Sequence, residues 1–284
     1  MAEIVMAYSA SHAPMMTADP GSAPREQADS FFGALEKVRD KCRELDVQAI
    51  VMMTGEHFTN FFLDGLPQIA IGLDDEHLGP PEVWLQVPKK MVPSNAGLAA
   101  HITASLIEQD VQPALSYGMK IDHGFMTVYY WLDNSMELPM VPIVLNCTTP
   151  PLMTVRQFHE FGKKLGKAIR SYDGLERVAL VAGGGLSHFV GEPRIGDIDE
   201  EFDHWFLDML ATGDLTDIID IPNDELMEAG NGTGEIRAWV ALAGAMHDAP
   251  GEVLSYVPVY EWINGMGVVL YKGDSEATAA AASV

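Results

Sequence analysis

The sequence has few cysteines, no long apolar run and few basic residues, and each shortage excludes a class of protein. Only two cysteines, Cys42 and Cys147, occur among 284 residues. They cannot form a disulfide framework, so a reducing cytoplasm is the expected compartment. No run of about 18 apolar residues is present, so we expect no membrane-spanning helix. The N-terminal stretch lacks a basic segment followed by an apolar core, which argues against a secretion signal.

Basic residues are the scarcest charged type. There are 17 lysines and arginines against 41 aspartates and glutamates, which gives a formal net charge of -24. Such a surface repels the phosphates of nucleic acids and of anionic lipid headgroups. Nucleic-acid and membrane partners are therefore not expected, and a negatively charged ligand would need a local cationic group.

The apolar residues that are present, 48% of the chain, follow two patterns. Short runs rich in Val and Ile are typical of strands that are covered on both faces. They predict strands over residues 4–9, 49–53, 68–73, 112–117, 140–146, 177–182 and 268–271. Amphipathic stretches predict helices over residues 24–45, 95–109, 154–169 and 197–211.

This alternation predicts one α/β domain over residues 1–272, in which helices flank a central, largely parallel or mixed sheet. Residues 212–233 are acidic and rich in turn residues, and they predict short helices or a surface excursion. Residues 273–284 lack large apolar side chains and are predicted to form a disordered tail.

Four of the nine histidines follow predicted strands: His12, His57, His123 and His188. In a parallel sheet the carboxyl ends of the strands lie along one edge, and ligands bind in the crevices there. Each histidine alone could simply hydrogen-bond a loop, but together they predict a shared site. The other five histidines are interpreted as surface or helix-face residues.

Histidines gathered in this way could bind a transition metal, because imidazole suits zinc, iron, copper and nickel. The sequence has no cysteine pair for structural zinc, no HExxH, no Gly-x-Ser-x-Gly elbow and no phosphate-binding loop. Glu235 stands after a glycine-rich turn, at the head of a predicted helix within residues 230–246. It could complement the helix dipole, or it could complete the two-histidine, one-carboxylate triad of non-haem Fe(II) oxygenases.

Five motifs occur in order along most of the chain: SHAPMM near the start, GEHFTNFFLDGLPQIAIG (55–72), SYGMKIDHGF (116–125), VALVAGGGLSHF (178–189) and GTGEIRAWVALAGAM (232–246). Through them the chain resembles the class III extradiol ring-cleaving dioxygenases, the family that includes the catalytic β subunit of protocatechuate 4,5-dioxygenase. Within that family it is most similar to the 2,3-dihydroxyphenylpropionate 1,2-dioxygenase branch. Residues 190–215 are more compact than the corresponding segment of that branch, so the substrate is not implied.

The resemblance implies Fe(II) held by His12, His57 and Glu235, and acid-base catalysis by His123 and His188. We assign His188 as the base toward the substrate and His123 as the acid, although the two roles could be exchanged. The implied reaction is extradiol, or meta, cleavage of a small catechol-type aromatic ring by O2. A homo-oligomer is also expected, because homo-oligomers are common in this family.

Four further residues are candidate substrate contacts. Phe58 and Phe61, with Phe62, could wall an aromatic ring or belong to the core. Lys120 could bind a substrate carboxylate or be an ordinary surface lysine. Asp122 could orient a neighbouring histidine or lie in a solvated turn.

Three alternative functions remain open at this point. The same scaffold could cleave an aminophenol or a hydroxypyridone. The same cluster could serve a zinc or manganese hydrolase. The chain could also be a non-catalytic partner subunit, although its complete set of candidate ligands argues against that.

Overall fold

The structure, a computed structural model, describes residues 1–276 of the chain. Over that range the strands are β1 (Glu3–Ala10), β2 (Ala49–Gly55), β3 (Ile69–Gly72), β4 (Glu76–Gly79), β5 (Lys90–Pro93), β6 (Ala114–Ser116), β7 (Met140–Leu145), β8 (Arg177–Gly183), β9 (Glu252–Val259) and β10 (Asn264–Lys272). The α-helices are α1 (Met15–Ala18), α2 (Arg25–Glu44), α3 (Ala96–Glu108), α4 (His123–Leu132), α5 (Val155–Arg170), α6 (Glu200–Thr212), α7 (Thr216–Asp220), α8 (Asn223–Leu226) and α9 (Ile236–Ala245).

Eight strands form one mixed sheet in the order β6-β3-β7-β2-β8-β1-β10-β9, and β4 and β5 form a separate hairpin. The central strands β7, β2, β8 and β1 are all parallel to one another. On one side β10 pairs antiparallel with β1, and β9 pairs antiparallel with β10. On the other side β3 pairs antiparallel with β7, and β6 follows β3 in parallel.

The central strands are apolar without interruption because both faces of the sheet are covered. In β2, Val51 and Met53 face the core that contains α5 and α9, whereas Ile50 and Met52 face the core that contains α2 and α4. Successive side chains on a strand point to opposite faces, so a strand between two helical layers must be apolar at every position. The predicted α/β fold with a mixed sheet flanked by helices is confirmed.

Several helix boundaries follow from local capping chemistry. Thr154 begins α5 with a complete capping box, since its side chain accepts from the Gln157 backbone and the Gln157 side chain accepts from the Thr154 backbone. Asn95 caps α3 and Asp199 caps α6 through their side-chain oxygens. The short helices α7 and α8 lie within residues 212–233, as predicted.

Three elements were missed by the sequence patterns. The hairpin of β4 and β5 has strands of only four residues, too short for a clear alternation. Strand β9 lies at the sheet edge and contains Pro258, and proline within a run argues against a strand. Helix α4 is rich in aromatic and β-branched residues, HGFMTVYYWL, so its propensity is weak and burial between layers stabilises it.

The chain after β10 is described as far as Glu276. Asp274 accepts hydrogen bonds from the Arg170 guanidinium and from the Ile4 backbone, which ties residues 273–276 to the domain. Residues 277–284, the greater part of the predicted tail, lie outside the described residues. Within residues 1–276, none of the helices combines the length and the hydropathy that crossing a bilayer would require.

Candidate metal centre and active site

Three of the four singled-out histidines lie at one edge of the sheet. Strands β2, β8 and β1 are adjacent and parallel, so their carboxyl ends meet at that edge. His57, His188 and His12 follow these strands in turn. These three histidines therefore lie close together, as the sequence predicted, because the parallel strands that precede them end at the same edge of the sheet.

His123 reaches the same place by a different route. It follows β6, but β6 runs with β3 against the central strands, so its carboxyl end lies at the opposite edge. The chain then returns through residues 117–122, and His123 becomes the first residue of α4. Its ring centroid lies 4.2 Å from that of His57 and 5.9 Å from that of His12. The position of His123 was predicted correctly, but the strand-end argument for it was wrong.

His12, His57 and Glu235 form a compact set of metal-ligating atoms. The Nε2 atom of His12 lies 3.0 Å from Oε2 of Glu235, and Nε2 of His57 lies 2.8 Å from Oε1. One ligating atom from each residue lies within 4.8 Å of those of the other two. His12 and Glu235 are 3% and 4% exposed. Two imidazole nitrogens and a carboxylate fit a divalent transition metal and leave part of its coordination sphere open.

Each of these three side chains is oriented by a neighbour. Nδ1 of His57 bonds Oδ2 of Asp122 at 3.0 Å, and Nδ1 of His12 bonds the Thr54 hydroxyl at 3.2 Å. The Gly185 backbone N–H donates to Oε2 of Glu235 at 2.7 Å. A histidine whose other nitrogen is held in this way has a fixed tautomer and ring direction, as in carboxylate–histidine–metal arrangements.

Asp122 is thus a buried orienting residue, 2% exposed, rather than a solvated turn residue. Its second oxygen, Oδ1, accepts from the Gly124 backbone and caps α4. Burial would raise the pKa of Asp122, but the His57 imidazole outweighs burial and lowers it to about 2. The charged carboxylate therefore remains in place behind His57 at any ordinary pH.

The remaining charges of the cluster are strongly coupled. Burial disfavours a charged His57, yet Asp122 and Glu235 raise the pKa of His57 well above its usual value. Burial likewise opposes ionisation of Glu235, but His12 and His57 lower its pKa well below the usual value. Without a metal, these shifts favour a protonated imidazole beside an ionised carboxylate in this cluster. A bound cation would take the place of that proton, so metal binding should release protons.

The two other histidines have contrasting partners. Nδ1 of His188 bonds the Leu186 carbonyl at 2.8 Å, which leaves Nε2 as the nitrogen free to accept a proton. Burial lowers the pKa of His188, so its neutral form is favoured. Nδ1 of His123 instead bonds a carboxylate, Oε1 of Glu82, at 2.8 Å. The same Glu82 oxygen accepts from the His123 backbone N–H at 3.0 Å, so the ring and its backbone are held together.

The four histidines and Glu235 border a cavity of about 460 Å³. Its lining is His12, Pro14, Glu56, His57, Phe58, His123, Thr148, His188, Val190, Asn231, Gly232, Glu235, Trp262, Ile263 and Asn264. Of the candidate substrate contacts, only Phe58 belongs to this lining. Phe61 packs partly against the core that contains α2 and α4. Lys120 is exposed, and its backbone N–H and C=O both bond the Asn60 side chain.

Three lining or supporting residues were not predicted from the sequence. Glu56 is buried, lines the cavity and accepts the backbone N–H groups of Thr59 and Asn60. Its place directly before His57 was the one available signal. Glu82 and Asn264 come from segments remote in sequence, and nothing local marked them.

His77 and His159, outside the site, were interpreted as surface or helix-face residues. His159 does lie on a helix, α5, whereas His77 lies in strand β4, so the prediction was wrong for His77; both are buried. Nδ1 of His77 bonds the Met119 carbonyl, and Nε2 of His159 bonds Asp248. Both positions therefore stabilise loops rather than contribute to the metal centre.

The fold and the site together define an α/β protein with a candidate metal centre at the carboxyl edge of its sheet. A family profile described as "Catalytic LigB subunit of aromatic ring-opening dioxygenase" matches residues 6–271, and the chain belongs to this family. The resemblance drawn from the sequence motifs is therefore confirmed, and the chain is an aromatic ring-cleaving dioxygenase.

Curated relatives carry names of the same class. A 2,3-dihydroxyphenylpropionate/2,3-dihydroxicinnamic acid 1,2-dioxygenase of Cupriavidus necator is 28% identical over 279 residues, covering 81% of this chain and 87% of the relative. One from Photorhabdus laumondii is 26% identical over 311 residues, covering 91% and 94%. An uncharacterized protein of Escherichia coli K12, with a solved structure, matches with a TM-score of 0.55 at 14% identity, covering 94% and 99%. At that identity the match supports the fold alone.

Proposed function

We propose that this chain cleaves a catechol-type ring by Fe(II)-dependent extradiol chemistry. The observation that carries the proposal is the His12, His57 and Glu235 cluster, whose ligating atoms come from three distant segments and lie within 4.8 Å of one another. In this mechanism these three residues would hold the iron, and the substrate would bind beside them in the cavity. Bound Fe(II) would supply the electron transfer between an electron-rich ring and O2 that side chains cannot provide.

The chain's own residues would handle the protons. His188 acts as the base: its Nδ1–H is donated to a carbonyl, so Nε2 is available to accept a proton from a substrate hydroxyl. His123 acts as the acid: Glu82 accepts from its Nδ1 and fixes the ring direction, so that Nε2 can donate a proton.

Oxygen uptake and metal analysis test the proposal. The protein loaded anaerobically with Fe(II) should consume O2 with a catechol panel, and the ring-opened product should absorb in the visible range. Aminophenols and hydroxypyridones in the same panel separate the closest alternative. Oxygen-independent hydrolysis by the zinc- or manganese-loaded protein would support the hydrolase alternative. No O2 uptake with any of these rings would overturn the dioxygenase mechanism.

Two variants separate metal binding from proton transfer. Glu235→Ala should lose iron, whereas His123→Ala should keep iron and lose turnover. His101→Ala is a matched control, because His101 lies on α3 and bonds Ser171 outside the cluster. Loss of iron in both Glu235→Ala and His123→Ala would indicate that His123 is a metal ligand and not only an acid.

We further propose a homo-oligomer in the cytoplasm that acts on a small aromatic substrate with O2. The formal net charge of -24 supports the absence of nucleic-acid and anionic-membrane partners. Light scattering of the purified protein measures the oligomeric state directly, and a monomeric mass would contradict that part of the proposal.

A further inference from the structure

The cavity carries no fixed positive charge. Among the described residues that line it, none is a lysine or an arginine, whereas Glu56 and Glu235 are both acidic. The eight residues outside the described range, 277–284, contain neither lysine nor arginine, so they cannot supply the missing cation. Lys120 is exposed and absent from the lining.

The histidines of the lining already have partners or proposed roles, so they are not available to pair with a substrate carboxylate. His12 and His57 face Glu235. Nδ1 of His123 is paired with Glu82, and Nδ1 of His188 is paired with the Leu186 carbonyl. The one remaining nitrogen of His123 and of His188 serves the proton transfers of the proposed function. A carboxylate brought in on the substrate would therefore have no lysine or arginine among the described lining residues to pair with, and an unpaired charge is costly to bury.

Among the described lining residues, Glu56 and Asn264 each have a buried side-chain oxygen without a hydrogen-bond partner, and Asn264 is the uncharged one of the two. Asn264 is 3% exposed, and within residues 1–276 its Oδ1 atom has no hydrogen-bond partner. A buried amide oxygen without a partner is uncommon in a folded protein. Asn264 also lines the cavity, which places its amide group where the substituent of a bound ring could meet it.

Asn264 lies beside the catalytic end of the cavity. A Cβ built on Gly185 would stand 2.6 Å from Nδ2 of Asn264 and 2.4 Å from Cε1 of His188, so the two side chains are neighbours. The same Gly185 donates its N–H to Glu235. A substituent on a ring placed between His188 and the metal ligands would therefore come within reach of the Asn264 amide.

The other walls near this position are apolar. Phe58, Val190 and Ile263 border the cavity, and they favour a neutral ring substituent over a charged one. The amide of Asn264 offers both a donor and an acceptor, which suits a hydroxyl or another uncharged hydrogen-bonding group.

We infer that the substrate is a catechol without a carboxylate, and that Asn264 recognises an uncharged hydrogen-bonding substituent on its ring. This inference rests on the proposed function and narrows its substrate class. It sets this chain apart from relatives named for a propionate substrate, in which the ring carries an acid group.

A matched pair of substrates tests whether the enzyme discriminates against a negatively charged ring substituent. 3-(3-Hydroxypropyl)catechol and 3-(2,3-dihydroxyphenyl)propionate differ in an alcohol or a carboxylate at the end of the same three-carbon chain. With the iron-loaded enzyme in its native assembly, we expect kcat/KM to be ~10-fold or more higher for the alcohol. Equal or better use of the propionate would overturn the inference, whether the cation came from this chain or from a neighbouring subunit.

Two variants test whether Asn264 recognises the ring substituent. Asn264→Ala should lower kcat/KM for the alcohol by ~10-fold more than for unsubstituted catechol, the effect of one lost hydrogen bond. Catechol turnover thereby reports folding and iron content within the same variant. Lys120→Met should change none of the three substrates. Equal losses on catechol and the alcohol in Asn264→Ala, or a selective loss of propionate cleavage in Lys120→Met, would overturn the assignment.

Failure of the inference and failure of the proposed function give different results. If unsubstituted catechol and the rest of the panel support no O2 uptake, the proposed function fails. If catechol is cleaved but the carboxylated ring is preferred, only the inference fails.

Discussion

Replacing Asp122 by asparagine tests how the metal centre is held together. The carboxylate of Asp122 bonds Nδ1 of His57 with one oxygen and caps α4 with the other. Asparagine caps helices about as well as aspartate, so the helix should survive and mainly the charge behind His57 should be lost.

The size of the effect follows from the pKa of Asp122, which is lowered from 3.8 to about 2. A depression of roughly two pH units corresponds to a net ~2.5 kcal/mol in favour of the charged carboxylate, because its attraction to the neighbouring imidazoles, His57 first, exceeds the opposing effect of burial. That energy agrees with the ~10- to 100-fold loss of metal affinity that accompanies removal of the partner of a ligating histidine. We therefore expect Asp122→Asn to weaken Fe(II) binding by this factor while the unfolding midpoint changes little.

Anaerobic competition with a chromophoric chelator measures the affinity, and thermal unfolding monitors the fold. Asn95→Asp is the matched control, because it makes the reverse exchange at the cap of α3, where the side chain accepts from the Leu98 backbone. Wild-type metal affinity in Asp122→Asn would refute the reasoning, since it would mean that Asp122 does not fix His57 for metal binding.

Two further predictions concern the segments around His188. Gly232→Ala would place a Cβ 2.0 Å from Nε2 of His188, so the ring must move; turnover should fall by ~100-fold with iron content unchanged. The buried Asp203, which accepts from the Ser187 hydroxyl and the Tyr256 hydroxyl, gives a pH dependence. Burial raises its pKa from 3.8 to about 6, so the folded protein keeps a proton that the unfolded chain has released. Its contribution to stability is therefore lost as pH rises from about 4 to about 6, by ~3 kcal/mol in total, and Asp203→Asn should remove this loss in denaturant unfolding.

Each of these two predictions has a clear contrary result. Gly33→Ala serves as control for the glycine substitution, because nothing lies within 4 Å of its Cβ position. Normal turnover in Gly232→Ala would show that the His188 ring position is not critical. For Asp203, stability curves of wild type and Asp203→Asn that stay parallel from pH 4 to pH 7 would contradict the raised pKa.

Local patterns were sufficient for most of the sheet and its helices. Strands β2, β7 and β8 are apolar at nearly every position, and such runs by themselves indicate burial on both faces. The capping box at Thr154 marked the start of α5 for an equally local reason. Where these signals were weak, as in the edge strand β9 and the aromatic helix α4, the elements depend on packing against the rest of the domain.

The sequence by itself determined the fold class, the family and the set of chemically capable residues, because motifs and periodicity are properties of neighbouring positions. Only the tertiary structure decided three other relations. These are the chain direction of β6, the contact between His123 and Glu82, and the exclusion of Lys120 from the cavity. The tertiary structure also decided that Asn264, from a segment far along the chain, lies beside His188. Such relations depend on strand order and loop paths, which are set by the packing of the whole domain and leave no local trace in the sequence.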